Sequence, residues 1–317
     1  MTSLKSQLIG NDLVWERLIQ LESKAKLPTA MAFVGPEGVG KLKMAKALVQ
    51  WTLCDSHSAC GVCGPCQRVA ADSSEALVVL EPDGEWIKVD QIHELLRQLS
   101  LRSLRARRFV VIDPAHKMNS QSSNALLKML EEPPEGTHFI LVTSQVSALL
   151  PTIRSRVQSF RFFPLSNEEL KTHHQESPDW LLNLSRGQIS ELEFWAEEEM
   201  SEVLNQVEQG LHSLAKKDLE GWLALLPLVK DRKMFYRISK IFQFFFRDLS
   251  FEFQEGEYSL PFSKRLKSEF SWPKNGLALA WQRAFELESS IQGNADRSLL
   301  FQNFYFDLWS QAEGERL

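Results

Sequence analysis

Short apolar runs alternate with stretches of helical period through the first half of the chain. The runs are AMAFV (Ala30 to Val34), EALVVLEP (Glu75 to Pro82), Phe109 to Ile112 within RRFVVID, HFILVTS and VQSFRFF. Nearly continuous apolar character over so few residues suits strands buried on both faces. Between them the period changes. Val14, Leu18 and Leu21 share one face of a helix started by Asn11 or Asp12 and ended before Pro28. Leu42, Ala45, Leu48 and Val49 do the same in KLKMAKALVQW, as do Val89, Ile92, Leu96 and Leu99 in IKVDQIHELLRQLSL. NSQSSNALLKMLEEPP reads as a helix capped near Asn119 or Ser120 and stopped by Pro133 and Pro134, and SALLPTIRSR as a shorter one. This alternation predicts a parallel sheet covered on both faces, the domain ending near Pro164.

From Leu165 the pattern is helical throughout. Ser166 followed by Glu168 and Glu169 is a capping signature. A small helical unit runs to about Gln209, and a larger, aromatic-rich one fills Gly210 to Leu317. Phe235, Ile238, Ile241, Phe242, Phe245 and Leu249 make one apolar stripe, and RSLLFQNFYFDLW is similar. Such stripes serve either helix packing or partner binding, and at this spacing packing is the commoner use. The expected division is 1–164, 165–209 and 210–317.

Composition agrees with several domains: 317 residues, 44% of them hydrophobic, suit about two to three. A net charge of −5 and a pI near 5.9 count against a surface coated in bare DNA, though not against a local basic patch. No apolar run approaches the ~18 residues of a membrane span, and no charged-then-apolar leader opens the chain. A soluble, cytoplasmic protein is expected.

The chemistry centres on the loop directly after the first run. In Gly35 to Leu42, GPEGVGKL, the glycines Gly35, Gly38 and Gly40 let backbone N–H groups turn inward as an anion nest, and Lys41 can reach the outer phosphates of a nucleotide. Spacing fits the phosphate-loop pattern except that Leu42 stands where a Ser or Thr hydroxyl would hold Mg²⁺. A second departure lies at the end of the third strand. Asp113 sits where a carboxylate flanks the metal, but the following residue, often an acid that activates water, is Pro114. Two losses at the same chemistry make autonomous ATP hydrolysis unexpected. Nucleotide binding is expected to be weak or absent.

All four cysteines fall between residues 54 and 66, unlike a distributed disulfide framework. Cys60, Cys63 and Cys66 form two overlapping C-x-x-C units with turn residues between them, and Cys54 returns from the preceding helix. Four thiolates close a tetrahedral shell and leave no open position, so a structural Zn²⁺ is expected. Redox chemistry or unrelated free thiols are the alternatives, and His57 is a conceivable substitute ligand.

FVGPEGVGK, the four-cysteine insert after it, SSNALLKMLEEPP, FILVTS and LLPTIRSRV come in an order that resembles the clamp-loader branch of the AAA+ ATPases. The resemblance covers roughly residues 8 to 163, and the rest is consistent in size and type only. It implies a P-loop (AAA+) domain with a zinc insert, a small helical lid and an all-α collar that joins subunits into a hetero-oligomeric ring. Partners implied are other clamp-loader subunits and, through the complex, the sliding clamp and primer–template DNA. It also implies a role for Arg156: in the family a Ser-Arg-Cys triplet offers an arginine in trans to a neighbour's ATP site, an arginine finger worth on the order of 10³–10⁵ in rate in the best-known systems. Here the triplet is Ser155-Arg156-Val157, with Arg154 as local competitor. Thr143 matches a phosphate-sensing position. Part of the cluster Arg97, Arg102, Arg105, Arg107 and Arg108 could contact DNA phosphates, pair with a neighbour or be solvated. The expected function is a stator with a degenerate ATP site in a DNA polymerase III assembly. Alternatives are an active P-loop ATPase and a zinc-stabilised adaptor.

Overall fold

A computed structural model describes residues 3–100, 107–251, 258–270, 272–290 and 296–312. The chain divides into two units, Met1–His173 and His174–Leu317.

In the first unit the five apolar runs form β1 (Ala30–Val34), β2 (Leu77–Leu80), β3 (Arg108–Ile112), β4 (Thr137–Thr143) and β5 (Gln158–Arg161). They make one sheet, all neighbours parallel, in the order β2-β3-β4-β1-β5. Successive residues point to opposite faces. Met31, Phe33, Phe109, Val111, Ile140 and Val142 therefore enter one core, and Ala30, Ala32, Val110, Ile112, Phe139 and Leu141 the other. Helices α1 (Asp12–Ser23), α2 (Lys41–Leu53) and α3 (Gly64–Ala70) cover the first face; α4 (Val89–Ser100), α5 (Ser120–Glu131) and α6 (Pro151–Arg154) cover the second.

Local chemistry sets several boundaries. Asn119 caps α5, its side chain accepting from the Ser122 N–H at 2.9 Å. At the start of α7 (Asn167–His173) the Ser166 and Glu169 side chains accept from each other's backbone N–H, a reciprocal capping box. Asn11 uses its amide like a strand residue, donating to the Phe163 carbonyl and accepting from the Phe163 N–H beyond β5. Two details depart from the sequence expectation. In α4 the residues turned fully inward are Ile92, Leu95 and Leu99, with Val89 and Leu96 half-buried, because the contact line follows the cluster of Ile87 and Met118. The second half of the cysteine segment also coils into α3, which Pro65 can start because it needs no N–H donor there.

The second unit is helical: α8 (Asp179–Ser185), α9 (Ile189–Ala196), α10 (Glu198–Ala215), α11 (Glu220–Leu223), α12 (Arg232–Ser250), α13 (Ser263–Leu266), α14 (Lys274–Ser289) and α15 (Arg297–Ala312). Helix α12 packs on α14. All six residues of its stripe are buried, so this face is core rather than exposed docking surface. Trp222 lies at the centre, stacked on Phe301 at 4.5 Å and touching Phe242, Phe304 and Tyr305. No helix among the described residues is long and apolar enough to cross a membrane.

Candidate functional site

Parallel pairing with β1 between β4 and β5 brings the strand ends that carry chemistry to one edge of the sheet. Val34 is paired with Thr143, so the glycine loop leaves β1 beside the end of β4. Ile112 is paired with Leu141, which sets Asp113 just beyond the same edge. The loop is tightly specified. A Cβ on Gly35 would lie 2.5 Å from the Phe162 carbonyl oxygen, while Gly38 and Gly40 adopt φ of 72° and 87°, the left-handed region that favours glycine. Helix α2 starts at once after Gly40, so its free N–H groups face the loop.

Within this cradle the chain already occupies its own cation. Lys41 is buried and its Nζ donates to the Gly35 carbonyl at 2.8 Å and to the Pro36 carbonyl. Burial lowers its pKa, against the attraction of Asp113 and Glu37. Burial likewise pushes the Asp113 carboxyl up to about 6; Lys41 pulls it back, and the neighbouring charges of Glu81 and Glu37 add to the rise. Leu42 packs against the core beneath the loop, so this side chain gives the loop no oxygen. Pro114 follows Asp113 as the N-cap of a short 3₁₀ turn and carries no carboxylate. Thr143 is fully buried; its hydroxyl accepts from the Gln145 N–H at 3.1 Å and meets His116 Nδ1 at 3.2 Å.

Two residues here escaped the sequence reading. Glu37 stands in the loop itself, exposed, and accepts from the Ser144 hydroxyl at 3.1 Å, adding a negative charge to the loop. His116 bridges toward Thr143, and burial lowers its pKa. Glu37 was legible as an acid inside an anion nest; nothing in AHKM marked His116.

At the other end of α2 the four cysteine sulfurs lie within 4.8 Å of one another. Cys60–Cys66 and Cys54–Cys63 are each 3.9 Å apart. Thiolates at about 2.3 Å around a tetrahedral ion have S···S edges of about 3.8 Å, so the spacing fits such an ion. The Cys60 N–H donates to Cys54 Sγ and the Cys63 N–H to Cys60 Sγ, both at 3.4 Å. Burial raises the Cys54 thiol, but hydrogen bonds from Cys60, Ser56 and Ser58 outweigh it and bring it down. The amides of Val62 and Cys63 lower Cys60, while burial pushes Cys66 up. The four cysteines could hold a metal ion; His57 lies outside the group. Gln50, also missed from the sequence, anchors the module: its buried amide accepts from the Leu4 N–H and donates to the Cys66 carbonyl.

Arg156 lies in the turn after α6. Its Nη2 is 2.5 Å from Glu131 Oε1, and Nη1 donates to the Thr152 carbonyl at 2.8 Å. Arg154 is exposed, and Val157 packs against the core. Of the basic cluster, Arg102 and Arg105 lie outside the described residues. Arg97 pairs with Glu94, Arg107 with Glu22, and Arg108 donates to the Leu99 carbonyl.

The family described as "DNA polymerase III, delta subunit" matches residues 10–166. A Pseudomonas aeruginosa DNA polymerase III subunit delta' is 33% identical over 240 residues, 68% of this chain and 73% of that one. The subunit delta' of Bacillus subtilis is 35% identical over 151 residues, 47% of this chain and 46% of that one. A DNA polymerase III gamma/tau subunit of Mycobacterium bovis is 32% identical over 162 residues, covering 50% and 28%. Among solved structures, a DNA polymerase III gamma subunit-related protein from Thermotoga maritima superposes with a TM-score of 0.56 at 17% identity, over 94% of this chain and 99% of that one. The P-loop sheet with its cysteine insert and helical second unit is thus an AAA+ fold. The chain belongs to the family of DNA polymerase III delta' subunits.

Proposed function

We propose that this chain serves a DNA polymerase III clamp loader as its stator, a subunit that turns over no ATP itself and lends Arg156 to a neighbour's ATP site. The observation that carries the reading is the self-occupied cradle: Lys41 is spent on the Gly35 and Pro36 carbonyls, Leu42 packs half-buried against the core and Pro114 replaces a base. Gly35, Gly38, Gly40, Lys41, Asp113 and Thr143 keep the form of a nucleotide site, while Leu42 and Pro114 bring no side-chain oxygen to the hydroxyl and base positions. That combination weighs against the alternative of an active P-loop ATPase. Arg156 lies outside the cradle, at the end of a different helix, as a residue acting on another chain must.

Cys54, Cys60, Cys63 and Cys66 bind one structural Zn²⁺ in this reading, all-sulfur ligation being what a closed tetrahedral site prefers. The division in this reading is a P-loop domain (1–164), a lid (165–209) and a collar (210–317) that joins the other subunits in a cytoplasmic ring, with α10 running from lid into collar. The sliding clamp and primer–template DNA are reached through that complex.

The experiment is steady-state hydrolysis, first with the pure chain and then with the reconstituted assembly carrying Arg156→Ala. The pure chain should show background turnover. The variant should cut ATP turnover of the assembly by on the order of 10³ at the site it serves. Robust Mg²⁺-dependent hydrolysis by the pure chain, or unchanged turnover with Arg156→Ala, would end the reading.

A further inference from the structure

We infer that Glu131 is the positioning residue for Arg156, aiming its guanidinium before any neighbour arrives; the inference rests on the arginine-donating role proposed above. Two packed helices fix the geometry. Leu126 and Leu130 of α5 and Ile153 of α6 share one buried core, so the end of α5 and the turn after α6 are held together. Glu131 is the last residue of α5, and Pro133 and Pro134 follow after the C-cap residue Glu132. Arg156 is tied by its backbone to Ile153, its N–H donating to that carbonyl at 3.0 Å. Both partners are thus set by backbone, not by flexible loops.

The side chain is then gripped from two sides. Nη1 donates to the Thr152 carbonyl at 2.8 Å, with the Ser155 hydroxyl at 3.4 Å, and Nη2 meets Glu131 Oε1 at 2.5 Å. A guanidinium is planar, and two contacts on different nitrogens fix both its position and the direction of its plane. With five N–H donors, a guanidinium so held still has some to offer an outside anion. Stability is a poor explanation for the pair. Arg156 is 34% and Glu131 48% exposed, and an ion pair so wet adds little to folding. Orientation is what it supplies: an arginine already aimed loses less freedom when it meets a phosphoryl group than one that must be ordered on arrival.

The test uses the reconstituted assembly with Glu131→Ala, Glu131→Gln, Glu131→Asp, Arg156→Ala and the Glu131→Ala/Arg156→Ala double variant. Glu131→Gln keeps the size of the side chain and one acceptor oxygen while removing its charge, and guards against a frayed α5. Positioning predicts that Glu131→Ala lowers kcat for ATP about tenfold with KM changed less than about twofold. Glu131→Asp should recover part of the loss, and the double variant should be no slower than Arg156→Ala alone. A Glu131→Ala loss that multiplies with that of Arg156→Ala places Glu131 in some other role, and unchanged or faster turnover with Glu131→Ala overturns the inference. If Arg156→Ala itself leaves turnover unchanged, the arginine-donating reading fails and takes this one with it. If only Glu131→Ala is silent, Arg156 stands and Glu131 falls.

Discussion

Helix α2 carries a site at each end, and the two differ in how far the chain satisfies its own polar groups. At its N-terminus the phosphate cradle is closed on itself: the one cation of the loop is bonded to two loop carbonyls, and Leu42, where a hydroxyl would be, packs half-buried against the core. At its C-terminus four sulfurs lie within 4.8 Å of one another, held by backbone N–H groups and the buried amide of Gln50. Several thiolates within a few ångströms cannot all keep their charge without a cation. One end has the shape of a ligand site and little need of a ligand. The other gathers four sulfur donors that could hold a metal ion. A glycine motif alone therefore reports less about binding than the fate of its polar groups.

The largest expected effect is at the cysteine end. Elemental analysis should find about one zinc per chain, and a strong chelator or Cys66→Ala should lower Tm by about 10 °C, since structural zinc contributes several kcal/mol to a domain of this size. A folded, metal-free chain with unchanged Tm would break the comparison at this end.

The next effect tests whether the cradle is a rigid shape. Gly35→Ala puts a methyl 2.5 Å from the Phe162 carbonyl oxygen and 2.8 Å from its Cβ, and the obstructing oxygen is backbone. Urea unfolding should show a loss of about 2–3 kcal/mol. Gly40→Ala is the control: nothing lies within 4 Å, but φ is +87°, so only the left-handed strain of about 1–2 kcal/mol should appear. Equal costs at both positions would mean that the loop yields and the close approach of β5 is not what holds it.

How much of this was legible beforehand follows the same division. Strands β1 to β4 lay in apolar runs, because a strand covered on both faces writes nearly every position in apolar letters, whereas β5, an edge strand, buries only Phe160. Asn119, Ser166 and Glu169 were legible as caps because capping is local. The four cysteines announced themselves by type and spacing. Out of reach was whatever depends on strand order. That Thr143 would lie beside Val34 follows from β1 lying next to β4, and that His116 would meet Thr143 follows from β3 lying on the other side of β4; no local pattern encodes either. Lys41 illustrates the limit best. Its position in the motif was plain, but that its ammonium would bond to Gly35 and Pro36 needs the loop in three dimensions. The Glu131–Arg156 pair is another such case, since it joins the ends of two helices 25 residues apart in the chain.

The smallest effect sharpens the comparison most, because it asks which group in the cradle neutralises Lys41. Burial leaves Asp113 protonating at about 6, above its ordinary 3.8. The folded chain therefore holds that proton more tightly than the unfolded chain does. Below the ordinary value both states are protonated and the contribution is fully favourable. Between 3.8 and about 6 the unfolded chain releases its proton first and stability falls as pH rises; above that the cost of the buried carboxylate is complete. Asp113→Asn removes the charge at every pH. The carboxyl is only part-buried, so solvent screening trims the gain to about 1 kcal/mol at pH 7.5, with none expected at pH 3.5. Urea midpoints at the two pH values measure it. A gain at neutral pH means that Lys41 is already satisfied by the carbonyls and Asp113 is a surplus charge beside it. A loss would mean that the carboxylate is the true partner of Lys41, and the N-terminal end of α2 would then be an ion pair awaiting a phosphate rather than a cradle closed on itself.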